Sequence, residues 1–538
     1  MQQRAWTWAA TALALAVVAV VVAPVVYLTV QALAKPAVLF DVVREPSSRQ
    51  LLWRSLMLAG AVAASSMVLG TCLAWLTVRA AWPHWWRMSM TVLLCTSLAV
   101  PSYVAAFGLI AATGAAGMFE GLAPEWLAAR NRPFLSSWIV LVCCTYPYVL
   151  LSVRSAMMRE CASLEEAAMS VGATRLRAFV SIALPRLMPS VIWGGMLAAL
   201  YSLADFGAVS LLGYETLTWG IYSRYHTAFG LDEARALSLV LAVVTVLLIV
   251  LMRFVRPELT PATCAVPTKG APVRLRWWTW PAHGLMALPV AVGVGIPVAA
   301  GVYWLEKAQA VGPLLRQTSG PAVATVGVAL AAAIIVPMLA LPVASTHLAR
   351  SDRRRQTLRA IVTPLTLAGF ALPGIVIAIA GISLALRADA FIEWVMNWPV
   401  ENRLYQSHLV LLLAYAALFL PEAVGPLRAS AVKIHGDQLD AAGQLGGTVA
   451  GNWRRIALPQ MAPGLAAGGA MVFVTTAKEL PATLLMAPPE FQTLATRLWG
   501  AMEEAYFAQA AAASLVLLCI AATGLATLLL IERIGRPG

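Results

Sequence analysis

The chain has 538 residues, of which 60% are hydrophobic and only 12% are charged. This composition leaves too little polar surface for a soluble globular protein and indicates a membrane protein. The net charge of +13 does not require a nucleic-acid partner, because Lys and Arg gather in the termini and in alternate loops, which is the bias that orients membrane helices.

Twelve runs of about twenty apolar residues can each cross the hydrocarbon layer as a helix. The first run is too long for the apolar part of a secretory signal and lacks a clear cleavage site, so we expect it to be retained. Arg4 precedes it and predicts a cytoplasmic N-terminus, and Pro101 predicts a kink in the third run. Six runs lie in the first half of the chain, at Trp6–Leu33, Leu52–Val78, Met90–Ala112, Phe134–Val153, Met188–Leu212 and Ala236–Met252.

A basic, proline-rich segment, Arg253–Trp280, predicts a cytoplasmic linker between two halves. We therefore expect a first six-helix unit at residues 1–255, a linker at 256–280 and a second six-helix unit at 281–538. Arg350–Arg359 contains five arginines and is expected on the cytoplasmic side as well. The six runs of the second half lie at Ala282–Leu305, Val323–Leu348, Ala360–Leu386, Ser407–Leu427, Pro463–Met486 and Ala508–Ile531.

One stretch of the first half returns in the second half at a constant shift of 274 residues. Its pattern is an acid, two alanines, three residues, glycine, nine residues and Ile-x-Leu-Pro. No gap is needed, so the chain contains two copies of one unit. Two units of six spans have the same orientation, which predicts parallel repeats with a shared pathway between them. The first signature loop (165–185) contains Glu165, Glu166, Ala167, Ala168, Gly172, Ile182, Leu184 and Pro185, and the second (440–459) contains Asp440, Ala441, Ala442, Gly446, Ile456, Leu458 and Pro459.

Each signature loop is predicted to form a compact knob on the water side of the membrane. In the first loop Glu166–Met169 favours a short helix, Gly172 permits a chain reversal, and Ala173–Ile182 favours a second short helix. Pro185 is expected to stop that helix before the next apolar run. A mere surface connector would have no reason to recur with glycine and proline in register.

The signature pattern resembles the cytoplasmic loop of permease subunits of binding-protein-dependent ABC importers, with Asp440 in place of the usual glutamate in the second copy. The segments Ser-Leu-Ala-Asp-Phe-Gly-Ala-Val-Ser around Asp205 and Lys-Glu-Leu-Pro-Ala-Thr around Glu479 are similar to the fused two-half permeases of ferric-iron importers. The resemblance implies an all-α membrane protein with the type I importer permease fold, located in the bacterial inner membrane with both termini cytoplasmic. It also implies a cytoplasmic ATPase dimer and a periplasmic substrate-binding protein as partners, and ferric iron as substrate. Fused thiamine permeases have a similar layout, and polyamine and sulfate permeases share the loop, so these substrates remain alternatives.

Two acids, Asp205 and Glu479, are also related by the shift of 274 residues, and each lies within a predicted span. A charged group at that depth costs about 2.5 to 3.5 kcal/mol on insertion scales, so it needs a reason to be there. One interpretation is that both acids line the translocation pathway and favour a cation. The other is that they satisfy backbone donors freed by Gly207 and Pro481, or that Glu479 pairs with Lys478.

The sequence contains no Gly-x-x-x-x-Gly-Lys-Ser/Thr phosphate loop, so we expect a transport permease whose ATP is hydrolysed by a separate subunit. Glu166 and Asp440 would either anchor each knob to a basic residue of that subunit or cap its first turn. The six histidines are scattered, the seven cysteines show no Cys-x-x-Cys spacing, and no metal or cofactor site is predicted. An ion-coupled secondary transporter is the rival class, but it would not need two cytoplasmic knobs.

Overall fold

The computed structural model describes residues 2–114, 116–120, 131–159, 163–227, 230–255, 272–308, 311–346, 372–397, 404–434 and 436–534. These residues are helical apart from short connections and one isolated β-bridge between Ala80 and Val273. The predicted all-α fold is confirmed. The arginine-rich segment Arg350–Arg359, residues 256–271 of the predicted linker and the start of the span predicted at Ala360–Leu386 lie outside the described residues.

The helices are numbered here in chain order over the described residues. Those up to residue 308 are α1 Gln2–Ala34, α2 Pro36–Arg44, α3 Pro46–Arg79, α4 His84–Cys95, α5 Ser102–Thr113, α6 Pro133–Arg159, α7 Ser163–Ser170, α8 Arg175–Ala178, α9 Leu184–Ala204, α10 Gly207–Leu211, α11 Leu217–Tyr225, α12 Leu231–Phe254, α13 Thr279–Val290 and α14 Ile296–Lys307. Those after it are α15 Val311–Ser345, α16 Gly374–Met396, α17 His408–Ala431, α18 Gly436–Gln444, α19 Val449–Asn452, α20 Leu458–Ala477, α21 Pro481–Met486, α22 Leu494–Glu503 and α23 Phe507–Ile534.

Among the described residues, 11 helices are long and apolar enough to cross a membrane. A further pair, His84–Leu98 and Ser102–Thr113, passes the same test jointly and is bent by 90°. The bend falls at Pro101, which lacks an N–H and precedes the first residue of α5. The predicted number of about twelve spans and the predicted kink are both confirmed.

The helices pack into two compact units that do not follow the order of the chain. One unit comprises residues 1–44, 221–242 and 309–538, and within it α1 packs against α15, α16 and α17. The other comprises residues 45–220 and 243–308, and within it α14 packs closely on α5. There a Cβ at Gly108 would lie only 2.4 Å from the Cα atom of Pro297, so glycine permits the close approach. The boundaries predicted at residues 255 and 281 describe the sequence repeat, and they stay a prediction.

Candidate coupling loops and helix breaks

The first signature loop forms the helix, reversal and helix predicted from its sequence. Helix α7 ends at Ser170, and two residues later Gly172 has a φ of +92°, which glycine adopts without the strain of a Cβ. The Gly172 N–H donates to the Met169 carbonyl at 3.1 Å, and the Ala173 N–H donates to the Ala168 carbonyl at 3.1 Å. These two bonds form a Schellman cap, which satisfies carbonyls at the end of α7. The Thr174 hydroxyl then accepts the Arg177 N–H at 3.3 Å and begins α8.

The second signature loop repeats this backbone geometry bond for bond. Its glycine, Gly446, has a φ of +83° at the end of α18. The Gly446 N–H donates to Gly443 at 3.2 Å, and the Gly447 N–H donates to Ala442 at 3.0 Å. Thr448 accepts the Gly451 N–H at 3.1 Å and begins α19. The two loops therefore share a local fold as well as a sequence pattern.

The expectation that Pro185 stops the second helix is wrong. Five residues with π-helical hydrogen bonding, Phe179–Ala183, connect α8 to α9 without a stop, and Pro185 lies in the first turn of α9. The wider π turn bonds the Leu184 N–H to the Phe179 carbonyl and makes room for a residue that has no N–H to donate. In the second loop, Trp453–Ala457 precedes Pro459 in the same way. Each knob is therefore continuous with the long helix that follows it.

The signature residues divide into an exposed group and a group against the bundle. The partly buried residues are Ala168, Ile182, Leu184, Ala442, Ile456 and Leu458, and the exposed residues are Glu166, Ala167, Gly172, Pro185, Ala441, Gly446 and Pro459. For Asp440 the structure describes only the backbone, within α18. The tips carry two large apolar side chains that the sequence analysis missed, Val171 at 87% exposure and Leu445 at 89%. Their signal in the sequence was an apolar residue directly before each repeated glycine.

An ion pair ties the first loop to the bundle. The Arg79 Nη2 atom, at the end of α3, lies 2.5 Å from the Glu165 Oε1 atom, and the two side chains are only 10% and 17% exposed. The residue at the position of Glu165 in the second loop is Leu439. Glu165 thus anchors α7 within the chain, whereas the neighbouring Glu166 is exposed.

Asp205 lies at a break between α9 and α10. Its backbone is extended, and its side-chain Oδ1 atom accepts the N–H groups of Ala208 at 3.0 Å and Val209 at 3.4 Å. Its Oδ2 atom accepts a short hydrogen bond from the hydroxyl of Ser102, the first residue of α5. The buried carboxyl group therefore caps α10 and connects it to α5.

Glu479 lies at the corresponding break between α20 and α21. Its Oε1 atom accepts the Ala482 N–H at 3.2 Å. A Cβ on Gly374, the first residue of α16, would lie 2.5 Å from that same oxygen. Both acids thus satisfy freed backbone donors, which is the second of the two interpretations drawn from the sequence. Their part in a translocation pathway stays a prediction.

The sequence analysis missed one further acid near the second break. Glu422, on α17, accepts a hydrogen bond from the Thr475 hydroxyl at 2.8 Å. Thr475 lies on α20, only a few residues before Glu479. In the sequence, Glu422 lies in an apolar run directly after Pro421, and an acid within a predicted span is itself a signal of a buried polar site.

The known proteins to which the chain is similar are all membrane components of transport systems. Residues 66–262 match the family model described as "Binding-protein-dependent transport system inner membrane component". The chain is 28% identical over 487 residues to the Fe(3+)-transport system permease protein FbpB 2 of Haemophilus influenzae, covering 88% of each chain. It is 26% identical over 242 residues to the sulfate transport system permease protein CysW of Escherichia coli, covering 43% of this chain and 81% of that one. The molybdenum transport system permease protein ModB of Escherichia coli is 29% identical over 212 residues, which are 37% of this chain and 90% of that one.

Proposed function

We propose that the chain is a permease of the binding-protein-dependent ABC transport family and that it imports ferric iron across the bacterial inner membrane. A periplasmic binding protein delivers the iron, and a separate cytoplasmic ATPase dimer supplies the energy. Residues 1–255 and 281–538 are its two permease units, joined by the linker at 256–280, and both termini are cytoplasmic. Reporter fusions near Gly172 and Gly446 test the orientation, and both should report the cytoplasm.

The duplicated backbone of the two signature loops is the observation that carries this proposal. Two ATPase subunits of a dimer present two equivalent docking grooves, and they need two equivalent elements to fill them. The loops meet that need with the same glycine turn, the same threonine cap and the same π turn. The exposed Val171 and Leu445 give each knob an apolar tip, which a groove on the partner would shield from water. A secondary transporter has no use for such a pair.

Replacing both Gly172 and Gly446 with valine should release the ATPase from the membrane. Each valine would have to adopt a left-handed conformation, which costs about 1 to 2 kcal/mol for a residue with a Cβ. The loops would then relax away from the docking geometry while the spans stay inserted. Co-purification of the ATPase with the chain measures the effect.

The matched control is Gly425→Val, at a helical glycine where an added Cβ would have no other atom within 4 Å. That variant should retain the ATPase. Recovery of the wild-type amount of ATPase by the double variant would contradict docking through these loops.

The substrate proposal is supported by the iron-transport relative, because its similarity extends over both halves of the chain. The sulfate and molybdenum permeases match a smaller part. Cells that lack the chain should lose uptake of radiolabelled iron and regain it when the chain is supplied. Restored uptake of thiamine, sulfate or a polyamine with no change in iron uptake would replace iron with that substrate.

We also propose that Asp205 and Glu479 favour a cation in the pathway in addition to capping their helices. The variant that combines Asp205→Asn with Glu479→Gln separates the two roles, because each amide keeps a carbonyl oxygen that accepts the capping N–H but removes the negative charge. Iron uptake should fall several-fold, while membrane insertion and ATPase retention stay at the wild-type level. Unchanged uptake would leave the acids with the capping role alone.

A further inference from the structure

Two tyrosine hydroxyls meet near the start of α17, at the end of that helix remote from the second signature loop. Tyr225 is the last residue of α11, and Tyr405 lies just before α17, with their Oη atoms 2.5 Å apart. Both side chains are partly buried. Helix α17 has 24 residues, which at about 1.5 Å per residue is long enough to place Tyr405 on the far side of the membrane from the second signature loop. In the proposed orientation this is the periplasmic side.

Tyr405 is held by a buried acid. The Oδ1 and Oδ2 atoms of Asp389, on α16, accept the backbone N–H groups of Leu404 at 3.0 Å and Tyr405 at 3.1 Å. Asp389 is only 5% exposed, so its two bonds are shielded from water. The backbone that carries the Tyr405 phenol is therefore fixed to α16.

Tyr225 is held from the other side by charged residues. Its neighbour Arg224 forms an ion pair with Glu233 at the start of α12. Two residues later Arg235 donates to the Ser383 hydroxyl of α16 at 2.8 Å and to Asp232 at 2.9 Å. Helix α16 thus contacts the backbone of Tyr405 through Asp389 and the first turns of α12 through Ser383.

An imidazole lies beside the two phenols. The exposed His226 ring is 5.4 Å from the Tyr225 ring and 4.5 Å from the Tyr222 ring, measured between ring centres. The neighbourhood therefore offers two oxygen donors and a nitrogen donor.

Phenol oxygens are hard donors, and as phenolates they suit ferric iron. In an octahedral ion with metal–oxygen bonds of about 2.0 Å, adjacent ligand oxygens lie about 2.8 Å apart. The two Oη atoms need to separate only slightly to reach that spacing. Each phenol would transfer its proton to water as its oxygen binds the metal, and the positive charge of the ion stabilises the phenolate that results.

We propose that the phenol oxygens of Tyr225 and Tyr405 together bind a hard trivalent cation at the periplasmic end of the chain, with His226 as a neighbouring ligand. The site takes ferric iron as the binding protein releases it and holds the ion before it moves into the membrane. This inference rests on the proposed function, because it requires iron as the substrate.

The test uses the full chain in lipid nanodiscs, titrated with ferric citrate. A phenolate bound to ferric iron has a visible charge-transfer absorption band that free phenol and ferric citrate lack. The wild-type chain should develop this band, and Tyr225→Phe and Tyr405→Phe should each bind iron at least tenfold more weakly and lose most of the band. His226→Ala should weaken binding less and retain a band.

Tyr214→Phe is the matched control, because the Tyr214 phenol donates to the Arg54 carbonyl instead of to a second phenol. That variant should keep the full band, and the phenylalanine variants should elute from size exclusion as the wild type does. The inference is overturned if wild-type chain that transports iron shows no band, or if both phenylalanine variants keep it. Absence of iron transport by the wild type would instead overturn the proposed function.

Discussion

At the first helix break a short acid meets a serine, whereas at the second an acid one methylene longer meets a glycine. Asp205 caps α10 and accepts from Ser102, and Glu479 caps α21 at a point where Gly374 has no side chain. Ser102 and Gly374 are each the first residue of a helix that follows a proline. The combined length of acid and opposing residue is thus similar in the two halves, although neither residue is the same. The difference indicates that a carboxyl cap at this depth is what both halves require, and that the opposing position adapts to it.

Asp205→Ala should have the largest effect on stability. The substitution leaves the N–H groups of Ala208 and Val209 without their side-chain acceptor in a buried site and removes the acceptor of the Ser102 hydroxyl. A buried donor without a partner costs about 1 to 3 kcal/mol, so we expect a loss of about 3 kcal/mol. Denaturation in mild detergent measures this loss in the free energy of unfolding. Asp41→Ala, at an exposed acid of α2, should be almost neutral, and an equal loss in both variants would contradict the capping role.

The match between the two acids was predictable from the sequence, because the shift of 274 residues aligns them without a gap. Their partners were not predictable. Ser102 and Gly374 are related by a shift of 272 residues, and the contact joins segments about a hundred residues apart in each half. Only packing of the helices reveals it.

In the signature loops, too, the sequence predicted only part of the structure. The glycine reversal follows from residue type and was predicted for Gly172. The passage of the helix through Pro185 was not predicted, because the rule that proline ends a helix assumes an ordinary α-helical turn, and a π turn removes the conflict. The ion pair between Arg79 and Glu165 was also missed, since it links two helices that are distant in the chain.

Gly374→Ser should have the next largest effect. The new Cβ would lie about 2.5 Å from the Glu479 Oε1 atom, so the carboxyl must move off the α21 cap. Overpacking of this kind costs about 1 to 3 kcal/mol, and we expect a loss of about 2 kcal/mol in the free energy of unfolding. Adding Glu479→Asp rebuilds the serine and aspartate pair of the first break and should recover most of the loss.

The recovery is the decisive part of this experiment, because a double-mutant cycle isolates the interaction between the two positions. Gly327→Ser is the matched control, at a helical glycine of α15 with no other atom within 4 Å of the added Cβ. Gly327→Ser should change the free energy of unfolding little, and adding Glu479→Asp to it should produce no recovery. Losses that simply add for Gly374→Ser and Glu479→Asp would show that the two breaks are not equivalent.

Ser102→Ala should have the smallest effect of the three. It removes the hydroxyl that donates to Asp205, but Asp205 keeps both backbone donors, and Glu479 caps its helix with glycine in the opposing position. A hydrogen bond to a carboxyl group contributes about 1 to 2 kcal/mol, so we expect a loss of about 1 kcal/mol on denaturation in mild detergent. Ser514→Ala, at a buried serine that donates to the Ala511 carbonyl of its own helix, gives the reference cost of losing a buried hydroxyl. A loss at Ser102 as large as that of Asp205→Ala would mean that the serine, and not the backbone cap, holds the first break together. The two halves would then stabilise their breaks by different means, because the second half has no hydroxyl at that position.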